Sequence, residues 1–381
     1  MFKNVKLKKI LKSTIFPIMS IINKVVPKRD DFILFYSPNW GINFNLKPVK
    51  EYLFMHGYDK KYKIICGIED MKYANKDKAK YVTQIRAVFY FLVSRHVFYT
   101  TGQIPIKPST KQIVIQMWHG AALFKTVGAL SKINNGYEFY FTYFTVPSKI
   151  YSSIIQKAFC CKEKNIAING EPMTDAMLTN TSHYNLGNFE KIIIWTPTFR
   201  SSDYLGYTDS SEELLPMFSG SDYEDLNLVL KKYNYKLIVK LHSAQNFNGN
   251  GILHFSNLDI YTDIRFKEAG YELYNMLSQA DVLLADYSSV FLQYLLLDKP
   301  IGFVVPDIEE YQRRRGFVFN KPEEYMPGSI IKSKEQLYAF FDEIGAGIDK
   351  FKEQREKVRQ KIHTYQDANN SKRVLELSEI Y

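Results

Sequence analysis

From residue 30 onward the chain sorts into short apolar runs separated by longer stretches that read as helices or loops. The runs fall at 32–36, 62–66, 97–100, 112–117, 143–146 and 166–168. After a polar interval from Asn180 to Asn188, a second series follows at 192–195, 236–240, 258–261, 282–285 and 301–305. Apolar runs this short, without polar alternation, suit strands buried on both faces. Helices are predicted between them, among others at 223–232, 271–279 and 290–297. Strand–helix alternation predicts parallel sheets covered on both sides. The two series predict an α/β chain of two Rossmann-like domains, 30–180 and 189–345, facing a cleft. The stretch 333–381 also reads as helical, with i, i+4 charge spacing across 350–361, and 346–381 is set apart as a C-terminal helical tail.

Residues 1–29 follow a different pattern. They contain Lys3, Lys6, Lys8, Lys9, Lys12, Lys24, Lys28 and Arg29 and no acid, with apolar residues between them. The longest charge-free stretch, Ser13 to Asn23, is 11 residues long and contains Pro17, far short of the ~20 apolar residues of a membrane span. No small-residue cleavage site follows it, and Lys24 to Arg29 makes a poor one, which argues against a signal peptide. Two readings compete. One is a kinked amphipathic helix lying on anionic lipid, each lysine near the surface contributing about 1 kcal/mol. The other is a surface helix packed on the body of the protein. The one-sided charge favours lipid.

Composition sharpens this picture. Of 381 residues, 46% are hydrophobic and 24% charged, which excludes disorder and makes two domains the natural expectation. The formal net charge is +10, from 50 basic and 40 acidic residues, and the first 29 residues supply most of it. The body is therefore nearly neutral, which argues against a nucleic-acid partner. Three cysteines, two of them adjacent at Cys160 and Cys161, give neither a disulfide framework nor a zinc spacing and fit a reducing compartment.

In open parallel sheets ligands bind beyond the carboxyl ends of the strands, so polar residues directly after a strand are candidates. Four places qualify: Trp118-His119-Gly120 after 112–117, Thr196-Pro197-Thr198-Phe199-Arg200 after 192–195, Leu241-His242-Ser243 after 236–240, and Asp286-Tyr287-Ser288-Ser289 after 282–285. Singly, each has an ordinary structural explanation, a Ser pair before a helix being usually an N-cap. Together they make a coherent anion site. Ser288 and Ser289 open the helix 290–297, whose dipole favours phosphate. Arg200 suits a bidentate phosphate clamp. His242 can donate to a phosphate oxygen or a leaving group, and His119 can act as a general base near neutral pH. Arg313, Arg314 and Arg315 add positive charge. No Asp-x-Asp tripeptide occurs, so phosphate neutralisation is expected from basic side chains and helix N-termini, without metal. His56, His96, His183, His254 and His363 are expected to be structural or exposed, and the aromatic run 137–144 to be core. P-loop, G-x-G-x-x-G and G-x-S-x-G signatures are absent, which removes the main warrant for kinase, NAD-enzyme and α/β-hydrolase readings.

These residues also carry a resemblance. Trp118-His119-Gly120-Ala121-Ala122-Leu123-Phe124-Lys125, Asn169-Gly170-Glu171-Pro172-Met173-Thr174-Asp175, Thr196 to Arg200 and Val239-Lys240-Leu241-His242 resemble successive motifs of the CDP-glycerol glycerophosphotransferase family. So does the block running from Glu272 through Asp286-Tyr287-Ser288-Ser289 and Lys299-Pro300-Ile301 to Asp307, Tyr311 and Arg315-Gly316-Phe317-Val318-Phe319. The resemblance covers roughly residues 30–340 and implies a GT-B-like fold with the nucleotide in the C-terminal half. It implies transfer of glycerol phosphate or ribitol phosphate from CDP-glycerol or CDP-ribitol to a hydroxyl of a lipid-linked acceptor, releasing CMP, in teichoic acid or capsule synthesis. It places the enzyme peripherally on the cytoplasmic face of the cell membrane, which suits the basic N-terminal segment, and implies no cofactor. By position, His119 matches the family's base, and His242, Arg200, Ser288 and Ser289 its donor-binding positions. Trp118, Gly120, Ala121, Ala122, Lys240, Asp286, Gln293 and Arg315 complete the implied substrate-binding set. The family usually has Thr-Pro where Ala121-Ala122 stands, and an acid that helps hold the polyol where Gln293 stands. The rival expectations are a GT-B glycosyltransferase using a sugar nucleotide, and a membrane-bound scaffold without activity.

Overall fold

The computed structural model describes residues 11–39, 41–131, 138–179, 183–199, 201–202, 207–208, 215–242, 245 and 252–381. Two seven-stranded sheets organise it. The first contains β1 (Arg29–Tyr36), β2 (Lys63–Ile68), β3 (Lys80–Thr83), β4 (Ser94–Tyr99), β5 (Ile113–Gln116), β6 (Tyr143–Val146) and β7 (Ile166–Ile168). All its pairings are parallel, in the order β3-β2-β1-β4-β5-β6-β7. The second contains β8 (Lys191–Trp195), β9 (Tyr235–Lys240), β10 (Ile252–His254), β11 (Leu258–Tyr261), β12 (Val282–Ala285), β13 (Ile301–Val304) and β14 (Ser329–Ile331). Its order is β10-β11-β9-β8-β12-β13-β14, parallel except where β10 runs against β11. Central strands such as β12 and β13 are buried along their whole length, which is why they read as unbroken apolar runs. Strands β3, β10 and β14 were not among the expected runs, and all three are sheet edges.

Each sheet anchors a compact unit, and the boundaries differ from 30–180, 189–345 and 346–381. The first unit comprises 1–121, 134–175 and 364–381; the second comprises 122–133 and 176–363. The tail therefore divides. Its last helix, Asn370–Leu377, places Val374 and Leu375 in the first unit's core beside Leu46, Val49 and Leu53. The Asp175 carboxylate accepts hydrogen bonds from the N–H groups of Asn370 (3.1 Å) and Ser371 (2.8 Å). In the second unit, 122–133 is laced to 315–319. Thr126 N–H donates to the Gly316 carbonyl, Val318 N–H donates to that of Phe124, and the Phe124 ring packs against Phe291, Phe317 and Phe319.

Residues 1–10 lie outside the described part, so Lys3, Lys6, Lys8 and Lys9 have no structural counterpart here. From Leu11 the chain makes a π-helical turn, then the helix α1, Phe16–Val25. Pro17 stands in its first turn, where its missing N–H is harmless, rather than at the expected mid-helix kink. The helix packs polar side inward. Buried Asn23 donates to the Lys107 carbonyl and to Gln112 Oε1 (2.7 Å), and Ser20 Oγ accepts from Lys107 N–H. Phe16 and Met19 join the core. Ile15 in the preceding turn and Ile18, Ile21, Ile22 and Val25 of the helix stay exposed, at 39% to 79%. Among the described residues no helix is long and apolar enough to cross a membrane.

Candidate active site

In the first sheet the strand order reverses between β1 and β4, and ligands in open α/β sheets gather at such a switch. The loops following β1, β4 and β5 converge on Trp118-His119-Gly120. Trp118 has φ +53° and Gly120 φ +139°; the first is an unfavourable conformation for a bulky L-residue, the second one that favours glycine. The turn is fastened by side chains. Gln116 Oε1 accepts from Trp118 N–H (3.1 Å), and the Trp118 carbonyl accepts from Thr100 Oγ1 (2.6 Å) and Asn45 Nδ2 (3.1 Å). Ala121 N–H donates to Glu171 Oε1 at 2.5 Å. The Trp118 ring is wedged edge-on against Phe139 and Phe159. The His119 side chain is exposed, with the rings of Trp118 and Phe44 at 4.7 and 5.8 Å between centroids.

In the second sheet the switch lies between β8 and β12. Asp286, wholly buried, ties the loops of those two strands together. Its carboxylate accepts from Thr198 N–H (2.8 Å), Thr198 Oγ1 (2.7 Å) and Ser288 N–H (3.1 Å). Ser288 and Ser289 are half-buried and lead into a helix shorter than expected, Val290–Tyr294, continued by the 3₁₀ turn Leu295–Leu297. His242, after β9, is exposed, with the Phe199 ring 5.0 Å away.

The expected site residues therefore separate by environment. His119 and His242 present their imidazoles to solvent, each on its own unit. Ala121, Ala122, Asp286 and Gln293 are buried, so their side chains are packing and bracing groups rather than exposed contacts. Gly120 is buried too, its positive φ shaping the turn. Lys240 is committed to an ion pair with Asp263 at 2.7 Å. Burial alone would raise the Asp263 carboxyl; Lys240 and Lys267 outweigh it and hold it at about 2. Arg315 is half-buried and its carbonyl accepts from Thr126 Oγ1 at 2.7 Å. Arg200 lies outside the described residues. Asn45, Thr100 and Glu171 brace the His119 turn and were not among the expected site residues. Asn45 and Thr100 lie 73 and 18 positions from the Trp118 carbonyl they engage. The only sequence signal for them was position: both follow strands β1 and β4.

Comparison with known proteins bears on the family and the fold. The family model described as CDP-glycerol:poly(glycerophosphate) glycerophosphotransferase matches residues 18–379. The chain is 28% identical to the teichoic acid ribitol-phosphate polymerase TarL of Staphylococcus aureus, the alignment covering 69% of this chain and 47% of that protein. It is 29% identical to a teichoic acid glycerol-phosphate primase of Bacillus subtilis, covering 65% of this chain and 63% of the relative. It thus spans about half of the first and under two thirds of the second. Among solved structures, the wall teichoic acid polymerase TagF superimposes with a TM-score of 0.72 at 18% identity, covering 99% of this chain and 95% of that one. At that identity the match concerns the fold.

Proposed function

This chain belongs to the CDP-glycerol:poly(glycerophosphate) glycerophosphotransferase family, and on that premise we propose that it transfers a polyol phosphate, glycerol or ribitol phosphate, from the CDP-activated form to a hydroxyl of a lipid-linked acceptor. One observation carries the reading: an exposed imidazole, His119, stands on a braced turn at the carboxyl end of β5. In the proposed step His119 takes the proton of the acceptor hydroxyl, whose oxygen attacks the donor's β-phosphorus in line. The bond from that phosphorus to the bridging oxygen breaks, and CMP leaves with the electron pair. His242 and Arg200 are assigned to stabilising the charge developing on CMP, and Ser288 and Ser289 to holding the diphosphate. Catalysis is then chiefly positioning and electrostatic stabilisation.

The test is an assay of radiolabelled CDP-glycerol and CDP-ribitol with a lipid-linked disaccharide acceptor, products sized by chromatography. His119→Ala is expected to lower turnover roughly 10²–10⁴-fold, as for loss of a general base, with donor affinity by calorimetry preserved. Normal turnover in that variant would remove the assignment. Basic side chains are proposed to neutralise the phosphates, so activity is expected to survive EDTA; abolition by EDTA and restoration by Mg²⁺ would contradict this.

The acceptor's lipid also gives a purpose to the N-terminal segment, which we propose docks on the anionic cytoplasmic surface of the membrane. Two features support it: the basic charge of residues 1–29 and the outward apolar face of α1, beside which Lys24 is exposed. Deleting residues 2–28 should abolish binding to phosphatidylglycerol vesicles; undiminished binding would refute the anchor.

A further inference from the structure

The turn bearing His119 is held in an unfavourable shape by groups that never reach solvent. Trp118 is left-handed at φ +53°, and both peptide groups flanking it are engaged by side chains. Its N–H is taken by Gln116; its carbonyl, which belongs to the peptide bond leading into His119, is taken by Thr100 and Asn45. Asn45 uses its remaining capacity on the same structure, donating to the Met117 carbonyl (3.1 Å) and accepting from Met173 N–H (3.0 Å). Both residues are wholly buried and cannot touch a substrate. Left-handed backbone at a bulky residue persists only where the surroundings over-determine it, and such strain gathers at functional sites.

We propose that Thr100 and Asn45 are positioning residues that clamp the Trp118–His119 peptide and so fix the direction of the His119 imidazole. If the carbonyl is released, the Trp118–His119 peptide can rotate about ψ of Trp118 and φ of His119, and the imidazole turns away from the hydroxyl it serves. The proposal rests on the reading of His119 as the base, and its test keeps the two apart.

Thr100→Val preserves shape and removes the 2.6 Å hydrogen bond; Thr100→Ser preserves the bond. With saturating CDP-glycerol or CDP-ribitol and the lipid-linked disaccharide, Thr100→Val is expected to lower kcat roughly 10- to 100-fold, the scale of a small misplacement. KM for the donor should stay unchanged, and Thr100→Ser should recover most of the rate. In the His119→Ala background Thr100→Val should change nothing further, because its effect passes through the imidazole. An equal loss in both backgrounds, or wild-type kcat in Thr100→Val, would overturn the clamp. Wild-type turnover in His119→Ala alone would instead overturn the reading it rests on. Asn45→Ala should behave as Thr100→Val does where it folds. One measurement needs no turnover: the ¹³Cε1–H resonance of His119, identified by its loss in His119→Ala. It should move in Thr100→Val and return in Thr100→Ser; an unmoved resonance would also overturn the proposal.

Discussion

Burial decides what each titratable or polar residue can do. His363 lies wholly inside the second unit with Nε2 against the Leu292 carbonyl at 2.7 Å, and desolvation pulls its pKa down to about 4. Unfolded, it would titrate near its ordinary value of about 6.5. Between those values the unfolded chain binds a proton that the folded one refuses. Its contribution is therefore complete above pH ~6.5 and is lost as pH falls toward 4, about 3 kcal/mol in all. Denaturant titrations at pH 7.5 and 5 should show a steeper loss in wild type than in His363→Gln; equal slopes would contradict this. Asp286 poses the opposite case, a buried carboxylate satisfied by three hydrogen bonds. Thr198→Val removes one of them and should cost about 1–3 kcal/mol, read as a lower denaturation midpoint together with weaker donor binding. Strand-end position singled out His119, His242 and Asp286 in the sequence, and each lies just after its strand. It did not separate the two exposed imidazoles from the buried brace, nor point to Asn45 and Thr100, whose partners are set by tertiary contact.

At the scale of elements, legibility followed apolar content. Central strands such as 282–285 are solid apolar runs and were found; the edge strands Lys80–Thr83, Ile252–His254 and Ser329–Ile331 are short or mixed and were not. An edge strand pairs on one side only, and edges favour short, polar segments. The helix Phe16–Val25 shows a second limit, because its composition announces a helix but not which face turns inward. The structure buries Ser20 and Asn23 and leaves the isoleucines out. Ile18→Asp combined with Ile21→Asp should accordingly leave the melting temperature within a few degrees of wild type while weakening phosphatidylglycerol vesicle binding at least tenfold, a loss of about 1.4 kcal/mol. Asn23→Leu should do the reverse, destabilising the protein by about 1–3 kcal/mol through the partners it abandons. Vesicle binding unaffected by the aspartates would assign that face to some other contact.

At the scale of the whole chain, the two apolar series correctly announced two sheets, but the units are interleaved rather than consecutive. The path crosses between them after residues 121, 133, 175 and 363. No local pattern reveals such crossings, since they depend on which core the late helix Asn370–Leu377 and the strap 122–133 join. Removing 364–381 deletes Val374, Leu375 and Ile380 from the first unit's core, at about 1.5–3 kcal/mol for each buried side chain, and strips Asp175 of two donors. Hydrogen exchange on the truncated chain should show β1 through β7 losing protection while β8 through β14 keep theirs; uniform protection would argue against the interleaving. The same path bears on biosynthesis. During synthesis, Val374, Leu375 and Ile380, which complete the core of the unit carrying His119, emerge only after the whole of 176–363 has been made.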